Sequence, residues 1–181
     1  MYFPSAGKSN TAQTIACARQ TAAERGIRHI VVASNTGDTA RQLAGTGAAV
    51  VCVTHAQGFV EPGQNEMSDN TRQDLSGVGI RVLTGTHVLS GVERGISNRL
   101  GGAYPAEIMA HTLRMFGQGT KVAVEIAVMA LDAGLIPHGE PVLSVGGTGR
   151  GADTVLLLRP AHADHILDTR VLEVICKPAG L

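Results

Sequence analysis

Aromatic residues make up only 3% of this 181-residue chain and there is no tryptophan, so few rings are available on which nucleic-acid bases could stack. An excess of one charge is missing too. Lys plus Arg and Asp plus Glu number 15 each, so no global field draws the chain to nucleic acid or anionic lipid. No stretch approaches the roughly 18 apolar residues of a membrane span. The amino end, "MYFPSAGKSN", carries no charged-then-apolar signal pattern. Cysteine is sparse: Cys17, Cys52 and Cys176 stand far apart without CxxC spacing. That excludes a disulfide framework and suits small buried hydrophobes in a reducing compartment. The expectation is a soluble cytoplasmic protein with no nucleic-acid and no membrane partner.

What is present is aliphatic. Hydrophobic residues reach 44%, so the core is to be built from Val, Ile, Leu, Ala and Met. The length suits one domain over residues 1–181, since single domains commonly run to about 100–200 residues. From Asn10 or Thr11 to Arg25 an Ala-rich stretch repeats Ile15, Ala18 and Ala22 at helical spacing, and Gly26 stops it. "IRHIVVAS" is then an apolar run of strand length, "GDTARQLAGTG" a short helix closed by Gly45 or Gly47, and "AAVVCVTH" a second buried strand. Helix, strand, helix, strand is the rhythm of parallel crossover units, which predicts an α/β fold with helices on both faces of a sheet.

Residues 56–67, "AQGFVEPGQNEM", break that rhythm, and a loop this long in a compact domain is often functional. "SDNTRQDLSGVG" restores a helix and "IRVLTGTH" a third strand, after which residues 87–103 read as an irregular polar excursion rich in glycine. Two apolar helices, "PAEIMAHTLRMFG" and "TKVAVEIAVMALDAG", precede "PVLSVGG", the loop "GGTGRGADT", and the strands "TVLLLRP" and "TRVLEVICKP".

The stretch "VVASNTGDTAR" runs an apolar strand into Ser34, Asn35, Thr36, Gly37, Asp38 and Thr39 just before a helix start. Ligands of open parallel sheets gather outside the carboxyl ends of strands, and a helix start offers unpaired N–H groups that suit a phosphate. Gly37 would let the backbone approach the anion, with Ser34, Thr36 and Thr39 adding hydroxyls. The plainer reading is that Ser34 or Asp38 only caps the helix. Gly147, Thr148, Gly149, Arg150 and Gly151 form a second donor-rich loop. A strand follows it rather than a helix, so the dinucleotide fingerprint fails, and a hairpin turn and a lid over an anion remain equal alternatives. "AGKS" at 6–9 resembles the end of a P-loop, but Tyr2 stands where that motif needs glycine. Asn10 and Thr11 read as caps. None of the seven histidines forms HExxH, and His162 with His165 lacks further zinc-like ligands, so no metal site is expected. His55 and His87 follow strands at the end of the sheet where a site belongs, which makes them candidates for acid or base work. Glu125 shares a helical stripe with Lys121 and Asp132. It is either an exposed (i, i+4) partner of Lys121 or a partly buried group facing a ligand. Glu93, Arg94 and Arg99 read as a solvated run or an oligomer contact.

"IVVASNTGDTARQLA" resembles the segment of the pyruvate kinase carboxyl-terminal domain whose Ser/Thr/Gly turn grips the phosphate of an allosteric sugar phosphate. "GGTGRGADTVLLLRP" resembles the glycine-rich loop that closes over the same ligand. Carried over, the phosphate-gripping positions are Ser34 to Thr39. The likeness is closer still to a group of free-standing pyruvate kinase alpha/beta domain-like proteins, through "GKSNT", "VVASNTGDTA", "GFVEPGQNEM", "THVLSGVERGISNRLGG", "KVAVEIAVMALDAG" and "VGGTGRGADT". This resemblance implies a three-layer α/β/α sandwich, a small phosphorylated ligand, FMN as the cofactor associated with some members, and a homo-oligomer. The chain has neither the length nor the motifs of a catalytic (β/α)8 barrel, so pyruvate kinase activity is not expected. The functions implied are an FMN-binding protein, with flavin-dependent oxidoreductase activity as one form of it, or a non-catalytic sensor of a sugar phosphate or nucleotide. A hydrolase or lyase with His55 or His87 as base is a third.

Overall fold

A computed structural model describes residues 1–180, so the last residue of the expected 1–181 domain lies outside the described residues. In chain order the elements are β1 (Tyr2–Phe3), α1 (Thr11–Arg25), β2 (His29–Ala33), α2 (Asp38–Arg41), β3 (Ala49–Val53), α3 (Asp69–Gly77) and β4 (Ile80–Leu83). Then come α4 (Gly91–Leu100), α5 (Pro105–Arg114), α6 (Gln118–Asp132), β5 (Val142–Gly146), β6 (Thr154–Arg159) and β7 (Arg170–Pro178). Short 3-10 turns lie at Lys8–Asn10 and Ala163–Asp168.

The strands form one seven-stranded sheet in the order β1-β7-β6-β5-β2-β3-β4. β4, β3, β2 and β5 are parallel neighbours, β5-β6-β7 is antiparallel, and β1 runs parallel to β7. Alternation along the central strands divides the core. Ile30, Val32, Val50, Cys52, Leu143 and Val145 pack with Ile15, Ala18 and Ala22 of α1, Leu43 beyond α2 and Leu75 of α3. Val31, Val51, Val53 and Val142 face Ala123, Ile126, Ala127 and Ala130 of α6 on the other side. Both sheet faces are therefore apolar, as buried parallel strands require, and the molecule is a three-layer α/β/α sandwich. α6 is buried almost all round, the mark of a helix sandwiched between sheet and further chain. Burial pushes the thiols of Cys52 and Cys176 up to about 12, which leaves both as packing groups rather than nucleophiles.

Two expectations need correction. Residues 87–103 are not wholly irregular: α4 occupies Gly91–Leu100, and none of its residues is buried. Its apolar residues Val92, Ile96 and Leu100 recur every four, but Gly91, Gly95 and the charges between them mask the periodicity. Conversely, the helix expected over "GDTARQLAGTG" is a single α-turn, Asp38–Arg41, followed by turns to Gly45 and Gly47.

Candidate functional site

β2 is flanked by β3 on one side and β5 on the other. The chain reaches β3 through α2 on one face of the sheet and returns to β5 through α6 on the opposite face. The order therefore reverses between β2 and β5, and a crevice opens beyond their carboxyl ends. It is a cavity of about 810 Å³ lined by the turn after β2, the residues after β3, the β5–β6 loop and the starts of α1 and α6. That size suits a small organic ligand.

Of the first turn, Ser34, Asn35, Thr36, Asp38 and Thr39 line the cavity and Gly37 does not. Gly37 faces α3: a Cβ there would stand 2.7 Å from Thr71 Cγ2, so this glycine admits the helix rather than an anion. Thr36 Oγ1 donates to Asp38 Oδ2 at 3.0 Å. A one-turn α2 supplies little macrodipole, because the effect needs aligned peptides. α1 and α6, of 15 residues each, both begin at the cavity without a side-chain cap hydrogen bond, but backbone carbonyls already accept the Thr11 N–H (Lys8 O) and the Thr120 N–H (Gly117 O).

The second loop joins antiparallel β5 and β6 and is thus the hairpin turn of the two alternatives. Its Gly147, Gly149, Arg150 and Gly151 line the cavity, whereas Thr148 does not. Gly151 lies so close to the start of α1 that a Cβ would run into Thr11 Oγ1 and meet Lys8 Cα at 3.0 Å. Asp153 ties the same corner down by accepting Gly7 N–H at 2.9 Å and the Thr154 hydroxyl at 2.8 Å. Neither Asn10 nor Thr11 caps α1 as expected. Asn10 Nδ2 donates to Ser5 O at 2.7 Å, and the Thr11 hydroxyl donates to Lys8 O and accepts Ala152 N–H.

The cavity is rich in cations. Lys8, Arg94, Arg114, Lys121 and Arg150 all line it. Among the described residues Lys8, Arg94 and Arg150 take part in no ion pair, while Arg114 donates to Gln118 Oε1 at 2.7 Å. Lys121 and Glu125 do form the expected (i, i+4) pair, but on a buried wall rather than an exposed edge: they are 5% and 3% exposed. Glu125 also accepts Leu89 N–H at 2.9 Å. Burial pulls the Lys121 ammonium below its ordinary range, against the raising effect of Glu125.

A ring cluster forms another wall. His55 stacks on Phe59 with centroids 3.8 Å apart, and His87 stands edge-on to His55 at 5.6 Å. Asn35 Oδ1 accepts the His55 backbone N–H at 3.0 Å, which turns its amide nitrogen toward His55 Nε2 at 3.1 Å. Nε2 must then be an acceptor, so the proton sits on Nδ1, 2.5 Å from Glu66 Oε2. His87 Nε2 lies 3.3 Å from Thr54 O and donates to it. Burial holds the His87 imidazole below its ordinary value, with the Glu125 carboxylate and Thr54 carbonyl opposing. Away from the cavity, His162 binds Asp132 at the end of α6, a structural use of the "HADH" segment.

Sequence reasoning thus named both loops, His55, His87 and Glu125, and expected residues of 55–67 and 87–102 to line the rest of the pocket, as Phe59, Glu66 and Arg94 do; it missed Arg114 and Gln118. Arg94 itself read as part of a solvated run or an oligomer contact. Glu66 and Phe59 do lie in the long loop 56–67 already marked as functional. Nothing local distinguished Arg114 at the end of α5 or Gln118 at the start of α6.

The family model described as "Pyruvate kinase, alpha/beta domain" matches residues 12–158. The chain accordingly belongs to that family. Among solved structures it is similar to a pyruvate kinase from Cryptosporidium parvum at 14% identity, covering 81% of this chain and 22% of that one, with a TM-score of 0.43. Cryptosporidium parvum pyruvate kinase in complex with ADP matches at 15% identity, covering 80% of this chain and 22% of that one, with a TM-score of 0.40. The chain spans about a fifth of the length of these solved pyruvate kinases. No helix among the described residues is long and apolar enough to cross a membrane.

Proposed function

We propose that this is a cytoplasmic protein that binds a small phosphorylated ligand in the crevice between β2 and β5. The observation that carries the reading is the convergence of Lys8, Arg94 and Arg150, unpaired among the described residues, with the hydroxyl-rich turn 34–39. Cations without carboxylate partners in one concave site raise the local concentration of anions. Guanidinium and ammonium groups bind phosphate through charge-assisted hydrogen bonds.

FMN is the first ligand to test, and the residues present fit it. Lys8, Arg150 and the turn suit the phosphate, Asp38 and Gln42 suit ribityl hydroxyls, and Phe59, His55, Val122 and Ile126 offer a flat ring an apolar wall. A bound flavin would supply electron transfer, which would make the protein an oxidoreductase. The chain's own part would be to hold the phosphate, orient the ring and exclude water. The second reading, a non-catalytic sensor of a sugar phosphate or nucleotide, is favoured by α4. That helix sends Arg94 into the cavity while presenting Val92, Ile96 and Leu100 to solvent, a surface suited to a second copy of the chain in a homo-oligomer.

Purified protein should take up FMN or, failing that, inorganic phosphate. Arg150→Ala and Thr36→Ala should each weaken binding by about 1.5–3 kcal/mol, the worth of a hydrogen bond to a charged group. Titration calorimetry measures this, and unchanged affinity in both variants would move the site elsewhere. A flavin released on denaturation would favour the first reading. Ligand-dependent melting without turnover would favour the second.

A further inference from the structure

We propose that the cavity contains a second anion subsite, on the wall formed by α4 and the start of α6, where Arg94 and Arg114 take a carboxylate or a phosphate. That group belongs either to the far end of the phosphorylated ligand or to a second, acidic molecule bound beside it. The inference rests on the phosphate reading above but not on a flavin.

The cations of the cavity fall into two groups. Lys8 stands just ahead of α1, which packs on one face of the sheet, and Gly151, next to Arg150 in its loop, lies against Lys8. Lys121 stands on α6, which packs on the opposite face. Arg114 is tied to the first turn of α6, its Nε donating to Gln118 Oε1 at 2.7 Å. Its two terminal nitrogens make no hydrogen bond among the described residues, so they are left for another acceptor. Arg94 reaches the cavity from α4. Burial pulls the Lys121 ammonium down, Glu125 opposes, and the charges of Arg114 and Arg94 press it down further. Both guanidiniums therefore lie within electrostatic reach of Lys121.

Compensating charge is scarce on this wall. Glu93 Oε2 accepts the Ala106 N–H at 2.7 Å and Glu107 Oε1 accepts the Ser97 hydroxyl at 2.8 Å, so the carboxylates of α4 and α5 cap and brace helices, and neither lines the cavity. Glu125 does line it, but is engaged by Lys121 and the Leu89 N–H. Among the described residues Arg94 and Arg114 pair with no carboxylate. Like charges held near one another repel. An oxyanion bound to both relieves that repulsion and accepts charge-assisted hydrogen bonds from the guanidinium forks.

The test counts inorganic phosphate bound to the full chain by equilibrium dialysis at low ionic strength. The expected result is two phosphates per chain, of which Lys8→Gln with Arg150→Gln removes one and Arg94→Gln with Arg114→Gln removes the other. Arg94→Gln alone, at an exposed side chain, should weaken the second phosphate by about 10–100-fold, the usual worth of a hydrogen bond to a charged group, and leave the first unchanged. Two further arms separate the sources. If the second group belongs to the same molecule, butanediol bisphosphate binds more tightly than butyl phosphate and Arg94→Gln abolishes the difference. If it belongs to another molecule, succinate binds alongside butyl phosphate without displacing it, and Arg94→Gln abolishes the succinate. A single phosphate that depends on Lys8 and Arg150 and ignores Arg94→Gln overturns the proposal and leaves the phosphate reading standing. Two phosphates that both survive Arg94→Gln with Arg114→Gln overturn it as well. No phosphate bound at all overturns the underlying reading too.

Discussion

Lys121 and Glu125 show how much a single buried pair constrains. Their charges sit on the cavity wall at 5% and 3% exposure, and among the described residues Glu125 has one other donor, Leu89 N–H. Removing one partner of a buried pair strands the other charge, which costs about 3–5 kcal/mol. Lys121→Met should therefore lower stability by that amount in urea unfolding. Lys121→Met combined with Glu125→Leu should cost less than the single change, because only the Leu89 N–H is then left without its acceptor. A double variant as unstable as Lys121→Met would show that the pair is effectively solvated. The same residue-by-residue view separates the two histidines: burial favours neutral His87, whereas hydrogen bonding on both nitrogens sets the His55 tautomer.

At the scale of elements, glycines decide how closely helices approach strands. A Cβ on Gly119 would run into the Thr154 hydroxyl and stand 2.5 Å from Asp153 Oδ1, so α6 begins directly against β6 only because that position is bare. Gly119→Ala should destabilise the protein by about 1–3 kcal/mol through overpacking. It should also weaken ligand binding, since Gln118 and Lys121 move with the helix start. Gly95, in the middle of exposed α4, has open space around its Cβ position. Gly95→Ala should instead stabilise by about 0.5–1 kcal/mol, the helix propensity difference. Thermal unfolding of the two variants checks the opposite signs.

On the scale of the whole molecule, α4, α5 and the two residues after α5 leave Val92, Leu100, Ile108, Met115 and Phe116 exposed. Apolar side chains gathered in this way mark association surfaces. Sedimentation should find the protein as a homo-oligomer, and Leu100→Glu with Met115→Glu should shift it toward monomer while leaving the melting transition of the fold cooperative. A wild-type monomer at all concentrations would remove this assembly. The sensor reading gains if phosphate shifts the association equilibrium, because the ligand must then bind the two states with different affinity.

Much of this molecule is legible in its sequence. The apolar strands ending at Ala33, Val53 and Gly146 and the Ile15, Ala18 and Ala22 stripe of α1 are local periodicities, and burial against a sheet face makes such patterns obligatory. The positions of both cavity loops followed from the rule that strands of a parallel sheet end on one edge. Short α2 and exposed α4 were misjudged because glycine and charge hide or mimic helical signals where little is buried. What only the tertiary structure decided is which side chains meet. Glu66 reaches His55 across a loop, Arg94 enters the cavity from a separate helix, and Gly37 turns toward α3 instead of the cavity. Those outcomes depend on the reversal of strand order between β2 and β5, a long-range choice set by total packing and recorded in no single stretch of residues.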